Sequence, residues 1–145
     1  MTTTQPAVTF WHVTDAKQKV SCICHLVNRF FQQAQRQLIA VPNQPSAEYV
    51  DKLLWRFPKE SFIPHAVSTK PLAAAVVITT TKENLNDASV IINLCSEVSP
   101  LSQGVTQIHE LLDSTDPAKE QASKQRKAAY EQLGCTVTVM QAATS

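Results

Sequence analysis

The chain has 145 residues, of which 43% are hydrophobic and 17% are charged, and its formal net charge is +1. This length and apolar content predict a single folded domain over residues 1–145 and exclude a disordered acidic or basic tail protein. Two glycines are too few for a glycine-rich phosphate-binding loop, and a nearly neutral chain has no general attraction for nucleic acid. We therefore expect any role at DNA to be local or indirect.

The same sequence predicts a cytoplasmic protein. Residues 1–6 lack the basic and apolar character of a signal peptide. The longest strongly apolar run covers residues 72–78, whereas a membrane span needs about 20 residues. The four cysteines do not have the spacing of a disulfide framework, which favours reduced thiols.

The first part of the chain predicts a strand, a helix and a second strand. Residues 8–13 are rich in β-branched and aromatic side chains, which is typical of a strand. Apolar residues at helical spacing predict a helix over residues 16–34, capped by Thr14 or Asp15. A short apolar run over residues 37–41 then predicts a strand that prolines bring to an end.

The middle of the chain predicts a second helix followed by three strands. Ser46 is expected to cap this helix, and Pro58 is expected to end it. Residues 74–80 and 89–94 are apolar enough for buried strands. Residues 107–112 alternate sufficiently for another strand, although a helix is also compatible with them.

A third helix has clear signals at both ends. Asp116 is expected at the N-cap and Pro117 at the first helical position, and Gly134 can adopt the left-handed conformation after the last turn. Residues 135–140 alternate as a final strand. The helix is expected to present one apolar face made of Ala118, Ala122, Ala129 and Leu133.

This order of strands and helices predicts an α/β fold with a largely parallel sheet in a sandwich with helices. No complete catalytic site, metal site or cofactor site is visible. Cys22 and Cys24 lie about 200° apart on a helix, which prevents them from sharing one metal ion. Three of the four histidines fall within predicted helices or strands, whereas His65 closes a turn. An enzyme that uses His65 as acid or base is therefore an alternative, and it requires a deep pocket at the carboxyl ends of the strands.

Two other features suggest protein binding. The segment 53–65 contains Trp55, Phe57 and Phe62 together with two prolines, and it is either a corner of the core or an aromatic patch that anchors a partner. The third helix carries a polar and basic stripe, which is either a solvated face or a docking site for an acidic peptide with an apolar end. That stripe consists of Lys119, Ser123, Lys127 and Tyr130, with Arg126 and Lys124 at its borders.

The segment VDKLLWRFPKESFIPH, residues 50–65, resembles the signature of the chi subunit of bacterial DNA polymerase III holoenzyme. Thirteen consecutive positions from Leu53 onward fit the pattern in order, and weaker agreement covers most of the chain. The resemblance implies a Rossmann-like three-layer α/β sandwich without a nucleotide site. It also implies a non-catalytic adaptor that binds the psi subunit of the clamp loader and the acidic, Phe-ended C-terminal tail of single-stranded DNA-binding protein.

Transferred by position, the resemblance implies two binding surfaces and no cofactor, no direct contact with DNA and no membrane contact. A similar adaptor that serves another partner, such as a helicase, is a second alternative. The psi-binding surface would contain Trp55, Phe62, Pro64 and His65, and the tail-binding surface would contain Lys124, Arg126, Lys127 and Tyr130.

Overall fold

The strands and helices follow the predicted order, with one short strand added. The structure is a computed structural model that describes residues 5–56 and 63–142. Within these ranges the elements are β1 (Ala7–Val13), α1 (Ala16–Gln32), β2 (Gln37–Ala40), α2 (Gln44–Arg56), β3 (Ala66–Val67), β4 (Val76–Thr79), β5 (Val90–Asn93), β6 (Gln107–Asp113), α3 (Pro117–Gln132) and β7 (Val137–Gln141).

The described strands form one sheet in the order β3-β4-β2-β5-β6-β1-β7, and every neighbouring pair is parallel. Buried side chains of α1 and α2 pack with the strands on one face of the sheet. Tyr130 of α3 and the segments after β4 and β5 pack on the other face. The predicted α/β fold with a Rossmann-like sandwich is thus confirmed, and the 107–112 segment is a strand.

Local capping explains where the helices begin. Asp15 accepts a hydrogen bond from the Gln18 backbone N–H at 2.7 Å, and Asp116 accepts one from Ala118 at 2.8 Å, as the sequence predicts. The second helix differs from the prediction, because Asn43 rather than Ser46 supplies the capping oxygen.

The Asn43 side chain accepts from the Ser46 backbone N–H at 2.9 Å, and its carbonyl accepts from Ala47. α2 therefore begins at Gln44 and includes Pro45 in its first turn. Proline fits there because the first backbone N–H groups of a helix have no partner within the helix. Among the described residues, no helix combines the length and apolar character that a membrane span requires.

The face that α3 turns toward the sheet is not the predicted alanine face. Its buried residues are Ser123 and Tyr130, whereas Ala118 is exposed and 47% of Leu133 is exposed. Alanine offers little area to bury, whereas the Tyr130 ring offers much more, which favours burial of the face that carries Tyr130. Much of the predicted surface stripe consequently faces the protein interior.

His109 of β6 lies buried beneath α1. The Trp11 indole N–H donates to Nδ1 of His109 at 3.0 Å, so the proton of the neutral ring resides on Nε2, which donates to Gln107 Oε1 at 3.0 Å. The Phe30 ring centre lies 4.9 Å from the imidazole centre. Burial, with a smaller contribution from the Arg29 charge, lowers the pKa of His109 to about 4.

This lowered pKa predicts a specific loss of stability in acid. Between about pH 6.5 and pH 4 the unfolded chain binds a proton at His109 that the folded chain does not, so the free energy of unfolding decreases as the pH falls. The full effect is about 3 kcal/mol. We expect urea titrations at several pH values in this window to show a steeper acid loss for the wild-type protein than for His109→Gln. Equal pH dependence in the two proteins would contradict the assignment.

Candidate protein-binding surfaces

The first candidate surface lies at the end of α2. Val50 and Leu54 point into the core, and Trp55, one residue further along the helix, is turned about 100° away from Leu54. Trp55 is 57% exposed, and its ring centre lies 4.8 Å from that of His65. Pro64 is also exposed. Of the four predicted psi-binding residues, the structure brings together Trp55 and His65, places Pro64 next in the chain, and leaves Phe62 outside the described residues.

His65 anchors the chain beneath Trp55. Its side chain is fully buried, with Nδ1 2.8 Å from the Ile63 carbonyl oxygen. Its Nε2 lies 3.1 Å from Asp51 Oδ1 and 3.2 Å from the Asp51 carbonyl oxygen. Carbonyl and carboxylate oxygens only accept hydrogen bonds, so these contacts tie the start of β3 to α2. The ring acts as a support for the exposed tryptophan and is not itself a contact surface.

The position of His65 also corrects the enzyme alternative. His65 precedes β3, whose Ala66 pairs with Val77 near the start of β4, so it lies at the amino-terminal edge of the sheet. The required pocket lies at the opposite edge, where a cavity of about 240 Å³ opens beside Asn93 and Cys95. The buried imidazole cannot serve as acid or base there.

The Cys95 thiol at that cavity is not an activated nucleophile. Burial, followed by the charge of Glu110, raises the pKa of the Cys95 thiol, which disfavours the nucleophilic thiolate. Lys82 and Glu97 at the cavity pair with each other at 2.7 Å. No group of three potential metal ligands occurs within residues 5–56 and 63–142.

The second candidate surface, on α3, is divided between buried and exposed side chains. Tyr130 is fully buried; its hydroxyl donates to Glu110 Oε2 at 2.5 Å and accepts from the Ser99 backbone N–H at 2.7 Å. Its ring packs edge-on against Phe10. The prediction that Tyr130 receives the apolar end of a peptide was therefore wrong, because its ring lies in the core.

Arg126 is held mainly inside the protein. Its side chain is 11% exposed, and its Nε lies 3.0 Å from Glu110 Oε1. Glu110 is itself fully enclosed and also accepts from Asn93 Nδ2 at 2.7 Å. Burial raises the pKa of Glu110, while Arg126, Tyr130 and Asn93 all act in the opposite direction. Arg126 thus compensates a buried carboxylate and is not a freely available cation for an external peptide.

Lys124 and Lys127 are the two predicted tail-binding residues that stay accessible. The Lys124 side chain is 61% exposed and pairs with Glu120 at 3.1 Å, and Lys127 is 33% exposed and pairs with Glu131 at 3.3 Å. Exposed pairs of this kind contribute little to stability, so an incoming carboxylate can replace the helix carboxylate at low cost.

The sequence analysis missed Glu110 and Asn93 as organising residues. The available signal was a glutamate in the middle of a predicted strand, next to Leu111 and Leu112, since a buried carboxylate requires partners from other elements. Those partners could not be identified from spacing, because Arg126 and Asn93 are 16 and 17 residues away in sequence.

The hydroxyl of Tyr130 should contribute measurably to stability. We predict that Tyr130→Phe lowers the free energy of unfolding by about 1–3 kcal/mol, because it leaves the buried Ser99 N–H without its partner and removes one of the two hydrogen bonds that Glu110 Oε2 accepts. Tyr49→Phe is the matched control, since Tyr49 is 56% exposed and should tolerate the change. Denaturant titration of both variants measures the difference, and equal stabilities would show that the buried network does not depend on this hydroxyl.

Comparison with known proteins gives a consistent result over most of the chain. The sequence model of the family described as "DNA polymerase III chi subunit, HolC" matches residues 6–138. Three curated relatives carry the name DNA polymerase III subunit chi. The protein of Haemophilus influenzae is 27% identical over 107 residues, covering 72% of this chain and 74% of that protein. The Pseudomonas aeruginosa protein is 23% identical, covering 83% and 84%, and the Escherichia coli protein is 25% identical, covering 77% and 78%.

Proposed function

Because this chain belongs to the DNA polymerase III chi subunit family, we propose that it is a non-catalytic adaptor that links the clamp loader to single-stranded DNA-binding protein. Family membership gives it an accessory role in DNA replication. In the proposed arrangement one surface binds the psi subunit and another binds the acidic tail of single-stranded DNA-binding protein. A replication subunit acts where the bacterial chromosome is, and we accordingly propose a cytoplasmic location.

The exposed Trp55 is the observation that carries this proposal. A tryptophan with 57% of its area in contact with solvent is unusual, since large aromatic side chains normally contribute most when buried. The buried ring of His65 packs against the Trp55 ring and restricts its movement. An aromatic side chain whose conformation is already restricted loses little entropy on binding, and this favours its use as an interface hot spot.

We assign psi binding to Trp55 and Pro64, with His65 as the positioning residue and Phe62 as a further member expected from the family resemblance. The buried ring of His65 fixes the backbone on both sides of the patch through Ile63 and Asp51. The patch is apolar, which suits a stable interface between subunits.

The tail-binding role is assigned to Lys124 and Lys127, with Arg126 at the buried border of that face. Two accessible ammonium groups about one helical turn apart can bind neighbouring carboxylates of an acidic peptide. Tyr130 is left out of this surface because its ring and hydroxyl both have partners in the interior. Two observations support the non-catalytic part of the proposal. The His65 side chain is buried, and the pKa of the Cys95 thiol is raised.

Removal of the Trp55 ring should weaken binding of psi. We expect Trp55→Ala to weaken association with the psi subunit of the same genome by at least about tenfold in isothermal titration calorimetry. Leu72→Ala, which also truncates an apolar side chain that is 40% exposed, is the control and should bind normally. A thermal melt of each variant separates lost contact from lost stability. Unchanged psi binding by a folded Trp55→Ala protein would exclude this surface.

Reversal of charge on α3 should weaken binding of the tail. A synthetic peptide with the C-terminal sequence of the native single-stranded DNA-binding protein should bind with a dissociation constant on the order of micromolar. Lys124→Glu and Lys127→Glu should each weaken it several-fold, and added salt should weaken it further. Lys70→Glu changes an exposed cation elsewhere and serves as the control. Normal affinity in both α3 variants would place the tail on another surface.

A further inference from the structure

A second basic surface lies between α1 and α2, away from α3. The two helices enclose an open groove of about 520 Å³. Its apolar part includes Val20 of α1 and Leu53 of α2, both partly exposed, and Tyr49 lines the groove with 56% of its area exposed. We call this feature the α1–α2 groove.

The cations of the α1–α2 groove have no acidic partner among the described residues. Lys17, Lys52 and Arg56 line it, all three are exposed, and no acidic residue is among its lining residues. None of the three forms an ion pair with another residue of the described chain. In contrast, the lysines on α3 that were considered above are paired with glutamates of the same helix.

The nearest acids along the two helices are occupied or face elsewhere. Asp15 caps α1, and Asp51 faces His65. Glu48 lies one turn before Lys52 but does not line the groove. The three cations therefore form a local positive field around an apolar floor, in a protein whose formal net charge is only +1.

We propose that the α1–α2 groove is a docking site for an acidic, amphipathic segment of a partner protein. An apolar side chain of that segment would enter between Val20 and Leu53 against the Tyr49 ring, while its carboxylates contact the surrounding cations. The charge complementarity selects an acidic occupant, and the aliphatic floor selects one that also carries apolar groups. This inference is independent of the adaptor function proposed above.

The lining favours a peptide over single-stranded nucleic acid. Grooves that bind single strands combine cations with several aromatic platforms on which successive bases stack. The α1–α2 groove has one exposed aromatic ring, and the rest of its apolar lining is aliphatic or sulfur-containing. Such a floor accommodates a leucine or phenylalanine side chain better than a series of bases.

The test uses fluorescence anisotropy with a labelled synthetic helix of about 14 residues, in which glutamates flank leucines at positions i, i+3, i+4 and i+7. We expect Lys52→Glu/Arg56→Glu to weaken binding of this peptide by at least about tenfold. Lys70→Glu/Lys82→Glu makes the same change in net charge at two exposed lysines outside the groove and should bind within about twofold of wild type. A peptide with lysine in place of glutamate should bind the groove variant more tightly than it binds wild type.

Several results would overturn the proposal. The first is that the wild-type protein does not bind the peptide, and the second is that both double variants weaken binding equally. The third is that a peptide in which serine replaces every leucine binds the wild-type protein as tightly as the original peptide does. Tighter binding of an oligothymidine that competes for the groove would assign the surface to nucleic acid. Loss of self-association in the groove variant would assign it to a second copy of this chain. Thermal melts verify folding, and Lys52→Ala and Arg56→Ala replace the double variant if it is unfolded.

Discussion

The enclosed carboxylate of Glu110 imposes the main constraint on the arrangement of this protein. Its two oxygens lie on a central strand without access to water and must be satisfied by groups from other elements. Arg126 and Tyr130 supply two of these groups from successive turns of α3, and Asn93 supplies another from the end of β5. The contacts fix both the rotation of α3 about its axis and its position on the sheet. Ser123 and Tyr130 are therefore the α3 residues that face the sheet.

This constraint separates three cations of α3 into two kinds. Arg126 balances an interior charge, and its loss should affect stability first. Lys124 and Lys127 lie on the same helix but remain in solvent, where their pairs with Glu120 and Glu131 can be exchanged. Spacing along a helix predicts which side chains share a face. Only the position of a buried partner on a different strand determines which of those side chains are available to a ligand.

The sequence predicted the features that depend on nearby residues. The caps at Asp15 and Asp116 follow from local hydrogen bonding, and the parallel α/β class follows from the order of elements. The buried face of α3 could not be predicted, because it depends on contacts with Glu110 across the sheet. The exposure of Trp55 was likewise left open between core and surface. Trp55 is exposed because Leu54, the residue before it, lies in the core. The burial of Leu54 depends in turn on how α2 packs on the sheet.

The strand order has a consequence for the way the chain reaches its native state. β1 forms its ladders with β6 and β7, and in the first of these Ala7 lies opposite Gln107. β1 therefore cannot be paired until residues 107–113 have been synthesised and have left the ribosome. Contacts so distant along the chain require a large loop to close and slow the search for the native topology. Until then the apolar residues of β1, Phe10 among them, have no neighbouring strand, whereas β2, β4 and β5 can already pair with one another.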